Sequence, residues 1–327
     1  MRPASWCSIS SGKGPGSSLP LWLKFGVSLA VLAGLAWWVD LSAVARQLGG
    51  ADSRWVGAAL ACLLLSYCIS GVRWAVIARG LGLEVSTRRK VRLFFVGAFT
   101  SLFLPSIVGG DVVRGVLLAR GGGRSGVGVE AAASVLLDRI NGLYALVAVV
   151  SGCLPFFDWP QALWLGWSAL VAGMAVVMVG WPWLHRRLPA RPGWLHRLPL
   201  DGARFGRAWW LALGLSLLIQ LIMVQIHLLL GMALGLPFGW PAYGVMAGLV
   251  ALLSMVPLSL NGLGLRESGY VGFVLFFGGS EAQGGALAAL WLLLITLGAL
   301  PGLWAVWRMG GVGALRGLRE RVRGAAG

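Results

Sequence analysis

The sequence predicts an all-α, polytopic integral membrane protein, and three observations carry that reading. Hydrophobic residues fill 58% of the 327 positions. Charged residues fill only 12%, about half the share a water-facing domain carries. The apolar residues gather in long runs that recur along the chain, too many and too long for a soluble surface to cover. Disorder is excluded by the hydrophobicity, and collagen by the aperiodic glycines.

Each element follows in order. Residues 1–20 are rich in Ser, Gly and Pro and read as a flexible cytoplasmic tail. Residues 21–39 form an apolar run ending in Trp37 and Trp38, an interfacial aromatic belt. The length of the preceding tail favours an uncleaved span there over a signal peptide, although Ala43-Val44-Ala45 resembles a cleavage site. Residues 55–72 form a second span, with Arg73 at its end. Residues 93–108 are apolar but break at Pro105, Gly109 and Gly110, so 93–120 is expected to dip into the bilayer as a hairpin and return. Residues 131–153, 164–181 and 209–230 read as three more spans. Residues 242–258 form a second interrupted segment, broken by Pro257, Asn261, Gly262 and Gly264; 242–278 either dips or crosses twice. Residues 286–307 make the last span, and 309–327 a basic cytoplasmic tail. The expectation is one transmembrane domain over 21–308, with six full spans and two broken or re-entrant segments. That corresponds to six to eight transmembrane helices.

Charge sets the orientation. The formal net charge is +16, and the basic residues cluster at the N-terminal tail, 79–92, 185–207 and the C-terminal tail. The connections near 155–163, 232–241 and 279–285 hold no Lys or Arg. Both termini are therefore expected in the cytoplasm of a bacterial inner membrane. Short basic bursts between apolar runs argue against a nucleic-acid partner.

The two broken segments share a pattern. Pro105 to Arg114 reads P-x4-G-x3-R, and Pro257 to Arg266 reads the same. Each carries an acid beside its arginine, Asp111 and Glu267. Three predicted spans separate the copies, an odd number, so the second copy is expected to face the opposite way. Broken helices at matching places in inverted halves point to a transporter site. A break frees backbone polar groups at membrane depth, and these are tolerated only against protein or a wet cavity.

Charges near membrane depth are costly and mark function or pairing. Asp111 and Arg114, three apart, share a helix face. Asp138 and Arg139 are adjacent, as are Arg266 and Glu267, and adjacent helical residues do not face each other. Each is therefore expected to seek a partner elsewhere, for example Asp138 with Arg114. Arg114, Arg139, Arg266 and Asn261 are candidate headgroup-binding residues through forked hydrogen bonds. Asp111, Asp138 and Glu267 are candidates for charge pairing or proton coupling. On 209–230, Gln220, Met223 and His227 share a face that suits interhelical hydrogen bonding. The small-xxx-small pairs Gly231/Gly235, Gly244/Gly248 and Gly298/Gly302 suit close helix packing.

No phosphate-cradling loop with its lysine, no nucleophile elbow and no zinc-binding helix motif occurs. The cysteines Cys7, Cys62, Cys68 and Cys153 follow no disulfide or zinc spacing. No metal, cofactor or catalytic residue is expected.

Residues 99–114 (FTSLFLPSIVGGDVVR), 134–143 (SVLLDRINGL) and 257–267 (PLSLNGLGLRE) together resemble the signature of the lysylphosphatidylglycerol synthase transmembrane, flippase-like family. The resemblance runs from about residue 21 to 308. It implies a domain that moves aminoacylated or anionic phospholipid between leaflets. In the full synthases an aminoacyl-transferase domain follows; here only 309–327 follow, so a stand-alone, non-enzymatic member is expected. The expected partner is membrane phospholipid. The alternative is a non-transporting subunit or enzyme of cell-envelope glycolipid or polyprenyl-lipid synthesis, beside a biosynthetic enzyme.

Overall fold

A computed structural model describes residues 21–84, 86–104, 109–120, 128–187, 203–255 and 262–309. These residues form eleven α-helices and one 3₁₀ turn, with no strand among the described residues. The helices are α1 (Leu21–Trp38), α2 (Leu41–Gly49), α3 (Ser53–Gly80), α4 (Thr87–Ser101), α5 (Gly109–Arg120) and α6 (Gly128–Cys153). They continue with α7 (Gln161–Arg187), α8 (Ala203–Ala233), α9 (Trp240–Met255), α10 (Leu265–Phe276) and α11 (Glu281–Arg308). The tails expected over 1–20 and 309–327 lie outside the described residues apart from Met309, as do Pro105, Pro257 and Asn261.

Local chemistry sets the starts. Asp40 accepts the amides of Ser42 and Ala43 at α2, and Asp52 that of Arg54 at α3. Ser86 caps α4, and Ser280 forms a capping box with Gln283 at α11. Each side-chain oxygen satisfies a first-turn N–H that has no partner within its own helix.

Among the described residues, five helices are long and apolar enough to cross a bilayer: α3, α6 with its 3₁₀ extension, the 161–180 stretch of α7, α8 and α11. The sixth expected span corresponds to α1, an apolar helix of 18 residues. Large apolar side chains are exposed along these helices, including Val176 and Val179 on α7, Leu211 on α8 and Trp307 on α11. A chain that buries its backbone polar groups in helices while exposing apolar side chains suits a hydrocarbon solvent.

The broken segments are short hairpins. α4 and α5 have 15 and 12 residues, and α9 and α10 have 16 and 12. At about 1.5 Å per residue none reaches the roughly 30 Å of a hydrocarbon core. The first hairpin begins and ends at the same end of the bundle. Ala78 on α3, Leu93 on α4, Leu118 on α5 and Ala131 on α6 share one buried cluster there. The second begins and ends at the opposite end. Phe277, just after α10, lies 5.0 Å from Phe157 and 5.7 Å from Phe238, just before α9. The second segment is therefore a re-entrant hairpin, the first of the two options its sequence leaves open.

The repeat extends well beyond the P-x4-G-x3-R motif. The order long, short, short, long runs through α3–α6 and again through α8–α11. Contacts follow the same exchange: α3 packs on α8, α4 on α11 as α9 on α6, and α6 on α8 as α11 on α3. Both leading helices end alike, at Leu81-Gly82-Leu83 and Leu234-Gly235-Leu236. Gly82 (φ 81°) and Gly235 (φ 66°) occupy the left-handed region, and the next leucine amide bonds back to Ala78 and Gly231. Gly235 therefore serves as a helix stop rather than a packing glycine. The other small residues do pack closely. A methyl group on Gly231 would strike the Tyr243 hydroxyl, on Gly244 the Cys153 sulfur, on Gly248 Val150, on Gly298 Leu63, and on Gly302 the Phe95 carbonyl.

α3 and α8 run antiparallel along their whole contact. Gly80 meets Ala208 and Phe205, Arg73 meets Ser216, and the Asp52 amide bonds to the Ala233 carbonyl. The two halves are thus inverted relative to each other. Their hairpins enter from opposite ends of the bundle.

Candidate functional site

The motif P-x4-G-x3-R folds differently in its two copies. Gly109 and Gly110 open α5 as its first helical residues, and a methyl on Gly110 would strike the Gly97 carbonyl. Gly262 (φ 76°) and Gly264 (φ 88°) instead lie before α10, in a backbone region that side-chain-bearing residues rarely adopt. Consequently Arg114 sits more than a turn inside α5, whereas Arg266 is the second residue of α10.

Around α5 a chain of buried charges has formed. Arg73 Nε donates to Asp138 Oδ1 at 2.8 Å, and Arg114 Nη2 donates to Asp138 Oδ2 at 3.0 Å. Arg114 Nε lies 3.0 Å from Asp111 Oδ1, and Arg139 Nε donates to Asp111 Oδ2 at 2.6 Å. Asp111 and Asp138 each therefore join two guanidiniums from different helices. The side chains of Asp138 and Arg114 are only 1% and 3% exposed, so neither charge is hydrated; Trp74 and Phe94 cover the Arg114 guanidinium at 4.9 and 5.2 Å. Two acids hold three bases at a depth where an isolated charge would be prohibitive, although Nε and Nη1 of Arg114 stay buried without a hydrogen-bond partner.

The chain of polar contacts continues into the second half. Arg73 Nη1 donates to Ser216 Oγ at 2.9 Å, and Ser216 donates to Asn141 Oδ1 at 2.6 Å. Gln220 donates to the Gly142 carbonyl at 3.3 Å, tying α8 to α6. Trp74 donates to Ser134 at 3.0 Å, tying α3 to α6.

A cavity of about 330 Å³ lies beside this network, where the described ends of α4, α9 and α10 meet α6 and α8. Ser101 ends α4, Ser254 and Met255 end α9, and Arg266 begins α10; all four line it. Arg139 reaches it from α6, and Gln220, Met223 and His227 from α8. The rest of the wall is apolar, including Val149, Trp291 and Ile295. His227 Nδ1 lies 2.7 Å from the Met223 carbonyl and Nε2 2.8 Å from the Tyr270 hydroxyl, with its ring stacked 4.6 Å from Trp291. The face of α8 read as a source of interhelical hydrogen bonds thus makes them and lines the cavity as well.

Of the expected headgroup-binding residues, Arg139 and Arg266 face this cavity. Arg114 does not: it is buried between its two acids and under Trp74 and Phe94, and it does not line the cavity. A further correction concerns Arg266 and Glu267. They were expected to seek separate partners, yet Arg266 Nη2 and Nε donate to Glu267 Oε1 at 2.6 and 3.0 Å. The rule that adjacent helical residues diverge holds inside a helix. These two stand in its first turn, with no preceding turn to constrain them. Glu267 folds back to accept the Gly264 amide at 2.7 Å, which swings its carboxylate toward Arg266.

Arg73 was missed as a network member. Its apolar run ends at residue 72, which suggested an interfacial position. The helix in fact continues to Gly80, so Arg73 lies about two turns inside and is 7% exposed. Its signal was Trp74 and Ala75–Ala78, which keep the helix going beyond the arginine.

Comparison with curated proteins finds no match. A family model does match, described as the lysylphosphatidylglycerol synthase TM region and covering residues 22–302. That span includes the bundle, both hairpins and every charged residue of the network. By that match, this chain, a multi-pass membrane protein with a lipid-related role, belongs to the lysylphosphatidylglycerol synthase TM region family.

Proposed function

We propose that the protein moves an anionic phospholipid between the leaflets of a bacterial inner membrane, with both termini in the cytoplasm. The headgroup passes through the cavity lined by the ends of α4, α9 and α10, and the acyl tails stay in the bilayer. One observation carries this reading. Two inverted hairpins approach from opposite ends and meet at a cavity whose cationic residues, Arg139 and Arg266, stand beside an apolar wall. Inverted broken helices around a polar midpoint suit alternating access. Paired guanidiniums suit a phosphate through forked hydrogen bonds. The aromatic and aliphatic wall suits the glycerol backbone that follows the phosphate.

The test is reconstitution in liposomes with fluorescent phosphatidylglycerol. Leaflet exchange is expected to exceed that of protein-free vesicles, and to fall at least tenfold in Arg139→Ala and Arg266→Ala. Exchange equal to empty vesicles for every anionic lipid tried would overturn the proposal. Full activity in both variants would overturn the site.

A further inference from the structure

The charges around the cavity do not balance, and one arginine of the unbalanced cluster reaches the cavity. In the first half, three guanidiniums, Arg73, Arg114 and Arg139, share two carboxylates, Asp111 and Asp138. Arg73 and Arg114 are buried, do not line this cavity, and between them contact both carboxylates. Arg139 is different: 48% of its side chain is exposed and it reaches the cavity. Arg266, which also lines the cavity, is balanced by Glu267. Both ring nitrogens of His227 meet neutral partners, the Met223 carbonyl and the Tyr270 hydroxyl. Among the described residues the cluster therefore carries one uncompensated positive charge. Arg139 can deliver it: when it leaves Asp111, that carboxylate still has the Arg114 guanidinium 3.0 Å away, whose buried Nε and Nη1 have no hydrogen-bond partner.

We propose that the cavity is built for one singly charged phosphodiester headgroup, with Arg139 as the specificity-determining residue that releases Asp111 to take the phosphoryl oxygens. This rests on the anionic-lipid reading above and narrows it. A monoanion brings the cluster to neutrality. A dianionic phosphomonoester or a pyrophosphate leaves negative charge uncompensated away from water, where it is costly.

The experiment uses the full chain in nanodiscs carrying a bound fluorescent phosphatidylglycerol. Displacement is measured with phosphatidylglycerol, phosphatidic acid, a polyprenyl pyrophosphate, water-soluble glycerophosphoglycerol and inorganic phosphate, at pH 7.5 and 5.5. At pH 7.5 the diester lipid is expected to displace at least tenfold better than phosphatidic acid or the pyrophosphate. At pH 5.5 phosphatidic acid gains, because a phosphomonoester takes up its second proton near pH 6, while the diester stays unchanged. Displacement by glycerophosphoglycerol but not by inorganic phosphate shows that the diester headgroup is what is read. Asp111→Asn adds one positive charge and is expected to shift preference toward phosphatidic acid, and Arg139→Gln to abolish the preference for the diester. Should either variant fail to fold, the wild-type pH comparison decides alone. Phosphatidic acid binding as well as the diester at pH 7.5, or inorganic phosphate displacing equally, overturns the charge proposal even while leaflet exchange proceeds. Absence of both exchange and binding for all anionic lipids overturns the transport reading and the charge proposal together.

Discussion

Asp138→Asn tests the energetics of the buried network most directly. The substitution keeps shape and removes one negative charge from a side chain 1% exposed. Arg114 retains Asp111 at 3.0 Å. Arg73 retains only the Ser216 hydroxyl at 2.9 Å and becomes a buried guanidinium without a counter-charge. Breaking a buried pair from one side costs about 3–5 kcal/mol, mostly the desolvation of the charge left behind. For a chain of this size each kcal/mol moves the midpoint by about 2 °C, so thermal unfolding in detergent is expected to fall by about 6–10 °C. Circular dichroism at the helical band follows the transition. The control is the double variant Arg73→Gln with Asp138→Asn, which removes the stranded charge. Its loss is expected to be smaller than the two single losses combined by about 2 kcal/mol. A shift below about 1 °C in Asp138→Asn, or strict additivity in the double variant, would refute the reasoning that these charges hold one another in place.

Further outcomes are expected from other parts of the fold. Gly110→Ala forces a methyl against the Gly97 carbonyl and is expected to cost about 1–3 kcal/mol, whereas Gly57→Ala, with open space around it, stays within about 0.5 kcal/mol; thermal melts separate them. Gly82→Ala and Gly235→Ala place a side chain in the left-handed region and are expected to cost about 1–2 kcal/mol each; similar losses at both would mark the shared helix stop of the two halves. Tyr270→Phe removes the hydroxyl 2.8 Å from His227 Nε2, costs about 1–3 kcal/mol in the same assay, and leaves the His227 ring stacked on Trp291. The Asp40 carboxyl is held below its ordinary value of 3.8 by the Ser42 hydroxyl and the Ala43 and Ser42 amides. Its capping of α2 is therefore fully present above that value and is lost as pH falls below it, so faster amide exchange at Ser42 and Ala43 is expected only at strongly acid pH.

Much of the architecture is legible in the sequence, because bilayer physics acts on composition and order alone. Apolar run length names the long helices, and Pro or Gly followed at once by charge names the two breaks. The motif shared by Pro105–Arg114 and Pro257–Arg266, separated by an odd number of spans, shows the inversion. What the motif could not reveal is how far the repeat extends. The matching stops at Gly82 and Gly235 become a pair only when both are seen to close leading helices that pack antiparallel.

The pairing of charges was legible only in part: Asp111 with Arg114 and Asp138 with Arg114 form as the spacing suggested, and tertiary structure decided the rest. Sequence spacing restricts partners within one helix, and on that basis Asp138 and Arg139 had to look outward. It carries no information about the rotamers of a first helical turn, where Arg266 and Glu267 bond to each other. Nor does it show that Trp74 and Phe94 cover Arg114, or that Arg73 lies deep enough to share Asp138. An arginine's place in a cavity or a network depends on which other helices arrive beside it, and those come from 28 positions away for Arg139 and Asp111 and from 65 for Arg73 and Asp138. The chain's sequence thus determined a helical membrane protein with two inverted breaks. Packing across distant helices determined which of its charges lock the scaffold and which reach the cavity.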